Sequence, residues 1–175
     1  MELFRESGKP IFNIGSTLLG IIYISLPMFC FYLISFQGFI EGYQYECIIG
    51  YLFIMWANDI GAYFAGTYFG KHKLFERISP KKTWEGFFGG VIFALLIAFI
   101  LTRFFSNFSM IQWMIVASII IITATLGDLV ESMFKRSVHL KDSGTVLPGH
   151  GGFLDRFDSL FISAPFVFFF LQMWS

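Results

Sequence analysis

Charged residues are scarce in this sequence. Lys, Arg, Asp and Glu together make up 14% of its 175 residues, against about 25% in a typical soluble domain. The 12 basic and 12 acidic residues cancel to a formal net charge of zero. A balanced charge gives no reason to expect nucleic acid as a partner, because nucleic acid requires a basic face. The composition also argues against a soluble globular domain.

Cysteine is scarce as well, and the two that occur are Cys30 and Cys47. Both lie in apolar stretches, and their spacing is typical neither of a metal site nor of a disulfide framework. We interpret them as small buried apolar side chains. They therefore say nothing about the redox compartment of the protein.

Hydrophobic residues are abundant instead. They make up 56% of the chain, Phe alone supplies 25 residues, and the mean hydropathy is +0.70. A transmembrane helix needs about 20 apolar residues, and strand-like alternation is absent. The sequence predicts an all-α, polytopic transmembrane helix bundle that forms one integral membrane domain over residues 1–175. About five spans are expected, at 11–36, 47–70, roughly 80–101, 110–127 and 159–174.

The basic residues predict which side of the membrane each loop faces. With five spans, the N-terminal segment and the loops after the second and fourth spans share one side, and they hold all the basic residues except Arg103. Positive residues favour the cytoplasmic side. The N-terminus is therefore expected in the cytoplasm and the C-terminus outside.

Asp59 lies near the middle of the second predicted span, where a carboxylate costs about 2.5–3.5 kcal/mol on insertion scales. Ala62, Gly66 and Gly70 share its helical stripe, and small residues at that spacing let another helix approach closely. Asp59 is therefore expected to face the bundle interior. Two interpretations stay open, a structural hydrogen bond between helices and a role at a polar, water-filled site.

The segment 79–86 introduces the third predicted span. Ser79 is predicted to be the helix N-cap and Pro80 its first residue. Lys81 and Lys82 would then lie in the first turn, where cations oppose the helix dipole unless an anion such as phosphate is bound. The alternative is that these lysines serve only as positive flanking residues on the cytoplasmic side.

The richest polar stretch covers residues 125–158. Asp128, Ser132 and Lys135 fall near one helical stripe. Asp155 and Asp158 lie three residues apart at the expected start of the last helix, after a glycine-rich loop. Carboxylates, lysines and a flexible loop are the parts of a metal-assisted phosphoryl site. The alternatives are helix-dipole complementarity for the aspartates and attraction to anionic lipid for the basic residues.

These residues carry a family resemblance. Residues 132–158 contain Ser132, Lys135-Arg136, Lys141-Asp142, then His150-Gly151-Gly152 and Asp155-Arg156-Phe157-Asp158. This pattern resembles the signature of the phosphatidate cytidylyltransferases, or CDP-diacylglycerol synthases. The segments 59–71 and 79–86 resemble a second region typical of the same family. The resemblance covers about residues 50–174, the C-terminal part of a family whose members usually carry several more N-terminal spans.

The resemblance implies an enzyme of phospholipid biosynthesis that makes CDP-diacylglycerol and pyrophosphate from CTP and phosphatidate. The nucleophile would be a phosphate oxygen of the lipid, so no protein nucleophile is needed. One alternative is a CTP-dependent kinase for a polyprenol-type lipid, which would release CDP. A second, non-enzymatic alternative is a small ion-coupled transporter that uses Asp59 as its coupling residue.

The resemblance also implies Mg²⁺, a second, monovalent cation such as K⁺, a homodimer, and a multi-pass location in the cell (inner) membrane with the active site on the cytoplasmic side. The predicted metal-binding residues are Asp128, Asp155 and Glu131. The predicted catalytic residues are Asp59, Lys135, Lys141, Asp142, His150 and Asp158. The predicted substrate-binding residues are Lys81, Lys82, Thr83, Glu85, Ser132, Arg136, Gly151, Gly152 and Arg156.

Overall fold

The computed structural model describes residues 9–36, 42–137 and 157–174. Its elements, in chain order, are α1 (Pro10–Ile34), α2 (Tyr45–Phe69), β1 (Lys73–Phe75), β2 (Ser79–Thr83), α3 (Trp84–Phe104), α4 (Met110–Ser137) and α5 (Asp158–Trp174). Helices α1 to α4 are each long and apolar enough to cross a membrane, and α5, with 17 residues, is a shorter apolar helix. The prediction of an all-α polytopic membrane protein is confirmed.

Helix α4 is longer than its apolar segment predicted. The expected span ended at residue 127, whereas the helix continues to Ser137. A helix of 28 residues is about 42 Å long at 1.5 Å per residue, so it exceeds the hydrocarbon thickness of about 30 Å. The last turns of α4 hold the polar stripe that begins at Asp128. The helix is therefore long enough for part of this stripe to lie beyond the apolar layer.

The prediction that Ser79 caps α3 and Pro80 begins it was wrong. Residues Ser79–Thr83 form strand β2, which pairs with β1 in a short antiparallel hairpin, with Lys73 opposite Thr83. Helix α3 begins at Trp84, and the hydroxyl of Thr83 accepts a hydrogen bond from the Gly86 N–H at 3.2 Å. Lys81 and Lys82 consequently extend from a strand and not from the first turn of a helix.

Helices α2 and α3 make the most extensive contact between elements, and small residues let their backbones approach. A Cβ added to Gly90 of α3 would lie 2.7 Å from Oδ1 and 2.9 Å from the carbonyl oxygen of Asn58. A Cβ added to Gly61 of α2 would lie 2.7 Å from the Gly89 carbonyl oxygen. The close approach expected for this part of α2 is confirmed, with α3 as its partner.

Replacing Gly90 with Val is expected to destabilise the protein by about 1–3 kcal/mol or more, because the new side chain would force α2 and α3 apart. The measurement is the thermal unfolding midpoint, Tm, in detergent. The matched control is Gly20→Val on α1, since an added Cβ there meets no atom within 4 Å. Equal shifts of Tm in the two variants would contradict the close-packing interpretation.

The N-terminal half of α2 packs against α4 and contacts α5. Trp113 of α4 is fully buried, and its ring contacts Phe108 edge-on with ring centres 4.8 Å apart. Tyr51 of α2 is also buried and hydrogen-bonds to Ser163 of α5. Because the Ser163 hydroxyl donates to the Ser159 carbonyl oxygen at 2.7 Å, Tyr51 is the donor to Ser163. A polar contact thus joins α2 to α5 inside an otherwise apolar core.

Candidate functional site

A cavity of about 600 Å³ lies where the hairpin meets α2, α3, α4 and the start of α5. The polar side chains of its wall come from every one of these regions except α3. They are Asn58, Asp59 and Thr67 of α2, Lys73, Lys81, Lys82 and Thr83 of the hairpin, Thr125 and Asp128 of α4, and Ser159 of α5. The cavity therefore gathers residues that are up to about a hundred positions apart in the sequence.

Acidic groups converge at this cavity. Lys82 of β2 forms an ion pair with Asp128 of α4. Asp59 lies within electrostatic range of both residues, and Asp158 at the start of α5 lies within range of them too. The cavity wall thus holds charges of both signs, with Asp59 and Asp128 together with Lys73, Lys81 and Lys82. Carboxylate oxygens are the donors that Mg²⁺ prefers.

The backbones of α4 and α5 touch where these acids meet. A Cβ added to Gly127 would lie 2.7 Å from the carbonyl oxygen of Asp158, so only glycine fits there without displacing α5. Asp158 also accepts a hydrogen bond from the N–H of Ser159 at 2.6 Å, which stabilises the first turn of α5. The glycine before Asp128 therefore brings the carboxylates of the two helices together.

The other two predicted metal-binding residues are Glu131 and Asp155. Glu131 is 6% exposed, and one of its oxygens accepts from Lys135 at 3.0 Å. Asp155 lies outside the described residues. Within residues 9–36, 42–137 and 157–174, no cluster of three or more His, Cys, Asp or Glu residues is arranged to hold a metal ion. Carboxylate oxygens are donors that fit a magnesium ion. Of the described carboxylates, Asp59 and Asp128 line the main cavity, and Asp158 lies within electrostatic range of Asp128.

A smaller cavity of about 190 Å³ lies between β2 and the last turns of α4. Its wall includes Lys81, Ser132, Lys135 and Arg136. The Ser132 hydroxyl also donates to Asp128 at 3.4 Å. Since Lys81 lines both cavities, the hairpin connects the acidic region with a cluster of three cationic side chains.

Glu85 is placed differently from the other predicted substrate-binding residues. Its carboxylate accepts hydrogen bonds from the backbone N–H groups of Lys71 and His72 and lies 2.6 Å from the His72 ring nitrogen Nδ1. Thr83 is likewise engaged as the N-cap of α3. Both residues hold the hairpin on α3, and Thr83 in addition borders the main cavity.

Seven predicted site residues lie outside the described residues, so the structure does not place them. They are Lys141, Asp142, His150, Gly151, Gly152, Asp155 and Arg156. Conversely, the structure adds Asn58, Thr67, Lys73, Thr125 and Ser159 to the cavity wall. Of these, Thr125 could have been noticed in the sequence, because it precedes Asp128 by three residues and thus shares its helix face.

Fold and site together define a class of protein, namely an integral membrane helix bundle with a cavity between its helices that is lined by lysines and carboxylates. Residues 1–174 match the model of the cytidylyltransferase family, a match that extends beyond the range 50–174 expected from the motifs. The chain therefore belongs to the cytidylyltransferase family.

Three relatives carry the name phosphatidate cytidylyltransferase. The one from Haemophilus influenzae is 51% identical over 126 residues, which are 69% of this chain and 44% of the relative. The one from Bacillus subtilis is 41% identical over 165 residues, 93% of this chain and 60% of the relative. The one from Staphylococcus aureus strain COL is 43% identical over 150 residues, 85% and 55%. The chain thus spans about half the length of these curated relatives.

Proposed function

We propose that this chain transfers the cytidylyl group of CTP to phosphatidate. In this reaction a phosphate oxygen of phosphatidate attacks the α-phosphorus of CTP. The bond from that phosphorus to the oxygen bridging to the β-phosphorus breaks, and the products are CDP-diacylglycerol and pyrophosphate. The observation that carries the proposal is the cavity lined by Lys81, Lys82, Asp59 and Asp128, with Asp158 within electrostatic range of Asp128 and Lys82.

The cavity provides the two kinds of group that a phosphoryl substrate requires. Lys73, Lys81 and Lys82 line it as positive charges for phosphate oxygens. Since the nucleophile belongs to the lipid, the protein has to orient both substrates and stabilise the charge that develops. The basic side chains of the hairpin hold and orient the phosphates, while Lys82 in turn is held by Asp128.

We propose Mg²⁺ as the cofactor, held by Asp128 together with Asp155 or Asp158, and a monovalent cation such as K⁺ beside it. When bound, Mg²⁺ would neutralise charge on the phosphate oxygens of CTP. The support is that Asp59 and Asp158 both lie within electrostatic range of Asp128, because carboxylate oxygens are the donors that Mg²⁺ prefers. The proposed homodimer rests on the family resemblance, and its test is the molecular mass of the protein in lipid nanodiscs.

The test of the reaction is incubation of the purified chain with radiolabelled CTP and phosphatidate in detergent micelles containing Mg²⁺. Equal amounts of CDP-diacylglycerol and pyrophosphate are expected. Release of CDP with a phosphorylated polyprenol-type alcohol would instead identify the lipid kinase. Turnover of neither substrate, combined with ion-driven uptake into vesicles, would support the transporter alternative.

The proposed location is the cell (inner) membrane with the cavity open to the cytoplasm, because CTP is a cytoplasmic substrate and the hairpin is basic. A Lys73→Cys variant is expected to react with an impermeant thiol reagent only after the cells are permeabilised. Ser106→Cys, in the connection between α3 and α4, is the matched control and is expected to react in intact cells. Labelling of position 73 in intact cells would contradict both the topology and the use of cytoplasmic CTP.

A further inference from the structure

The smaller cavity differs from the main cavity in the charge of its wall. Its polar side chains are Ser79, Lys81, Ser132, Lys135 and Arg136. Three of these five carry a positive charge. Among the described residues no Asp or Glu lines this cavity, whereas two carboxylates line the main cavity. Such a wall favours an anion that lysine and arginine bind directly, of which a phosphate group is the usual example in proteins.

The two cavities also differ in size. Pockets for drug-sized ligands measure about 300–1,000 Å³. The main cavity, at about 600 Å³, lies within that range, and the smaller cavity, at about 190 Å³, lies below it. The smaller cavity therefore has room for one small polar group such as a phosphate, but not for a whole nucleoside triphosphate.

One of the three cations is held in place from behind. Glu131 is 6% exposed, and its Oε2 accepts a hydrogen bond from the Lys135 ammonium at 3.0 Å. Glu131 itself does not line the smaller cavity. A lysine that is already held needs less ordering when it binds a ligand. Arg136, the next residue, is exposed, and its planar guanidinium can bind two phosphate oxygens at once.

The smaller cavity lies at the end of α4 that can reach the lipid head groups. With 28 residues, α4 is about 42 Å long, and a bilayer with its head-group regions is about 40–45 Å thick. Met133 and Phe134, on the same turn as Arg136, are 46% and 42% exposed. Exposed apolar side chains beside cations suit a molecule that joins an anionic head group to acyl chains.

We propose that the smaller cavity binds the phosphate monoester group of phosphatidate, with Lys81, Lys135 and Arg136 as its cationic partners. This assignment rests on the proposed cytidylyl transfer, in which the triphosphate of CTP occupies the main cavity. Lys81 lines both cavities, so it lies between the two anionic substrates. Its charge offsets the repulsion between the attacking phosphate of the lipid and the phosphates of CTP.

Binding is tested by the rise of Tm when the purified chain in detergent is titrated with short-chain phosphatidate. Arg136→Gln is expected to weaken phosphatidate binding roughly 10- to 150-fold, as the loss of one charge-assisted contact would. Its titration with CTP and Mg²⁺ should stay within about twofold of the parent. Arg77→Gln is the matched control and should change neither titration, because Arg77 is exposed in the hairpin turn and lines neither cavity.

Short-chain phosphatidylglycerol, a phosphate diester, tests whether the cavity selects the monoester. It is expected to raise Tm of the parent chain less than phosphatidate does, because its phosphate carries one charge fewer and is linked on both sides. An equal rise of Tm with both lipids would show only a general attraction for anionic lipid and would overturn the assignment.

Kinetics separate the two phosphate-bearing substrates. Arg136→Gln is expected to raise the KM for phosphatidate roughly 10- to 150-fold and to change the KM for CTP less than about twofold. A rise in the KM for CTP alone would assign the cavity to the nucleotide and overturn the proposal, as would two unchanged constants. A parent chain without any cytidylyl transfer would refute the proposed function, and the Tm titrations would still decide whether the smaller cavity binds phosphatidate.

Discussion

Replacing Asp128 with Asn is expected to lower kcat by at least about 100-fold and to leave the protein folded. Asp128 lines the main cavity, pairs with Lys82 and lies near two further carboxylates. The amide keeps the size of the side chain but removes the charge that would hold a cation and orient Lys82. Losses of this size are typical when a group that stabilises transition-state charge is removed. The measurement is turnover of CTP and phosphatidate by the purified variant.

Two further variants show whether the loss of activity is specific to Asp128. Glu46→Gln, in the first turn of α2, removes a carboxylate that lines neither described cavity and should leave kcat unchanged. Lys82→Gln should raise the KM for CTP roughly 10- to 150-fold, as expected for one lost charge-assisted contact. An Asp128→Asn variant that retains more than about a fifth of the parent turnover, or ~1 kcal/mol in barrier, would show that Asp128 is not a metal ligand.

Replacing Asp59 with Leu is expected to abolish most activity while Tm stays the same or rises. A carboxylate within a span is costly to insert, and an apolar residue of similar size is often neutral or stabilising when the acid serves only structure. Asp59 lines the cavity beside Lys82 and Asp128, so its loss should be felt in catalysis. Both Tm and kcat are measured on the same preparation.

Asp59→Asn is the matched isosteric variant, because it removes the charge without changing the shape of the side chain. A comparable loss of activity in both variants would assign the effect to the charge of Asp59. Full activity of Asp59→Leu together with a raised Tm would return Asp59 to the structural interpretation, in which it only hydrogen-bonds between helices.

The helices were predictable because their signal is local. The first four apolar segments are each long enough to indicate a span by themselves, and the polar stripe of Asp128, Ser132 and Lys135 already had helical spacing. The hairpin was not predictable in this way. Ser79 and Pro80 are favourable residues for the start of a helix, but the pairing of β2 with β1 and the bonds of Glu85 to Lys71 and His72 depend on contacts that no local pattern reports.

The same distinction between local sequence signals and tertiary contacts applies to the site. Asp128, Lys82 and Asp59 were predicted as site residues from the sequence, because charged residues inside or beside apolar spans stand out. Their arrangement depends on the glycine contact between α4 and α5 and on the placement of β2, which follow from packing. Tyr23 carried no signal, since a single tyrosine in an apolar span is ordinary. Its contacts with Phe134 and Phe161 become visible only when α1 lies against α4 and α5.

The hydrogen bond from Tyr51 to Ser163 has a consequence for the rotational setting of α5. Ser163 follows Asp158 by five residues, and a helix turns about 100° per residue. A shift of α5 by a single residue would rotate Asp158 about the helix axis by about 100°, away from Asp128. The same shift would leave the Tyr51 hydroxyl without its partner in apolar surroundings. The buried hydrogen bond between Tyr51 and Ser163 therefore disfavours other rotational settings of α5, and so it helps to keep the Asp158 carboxylate close to Asp128.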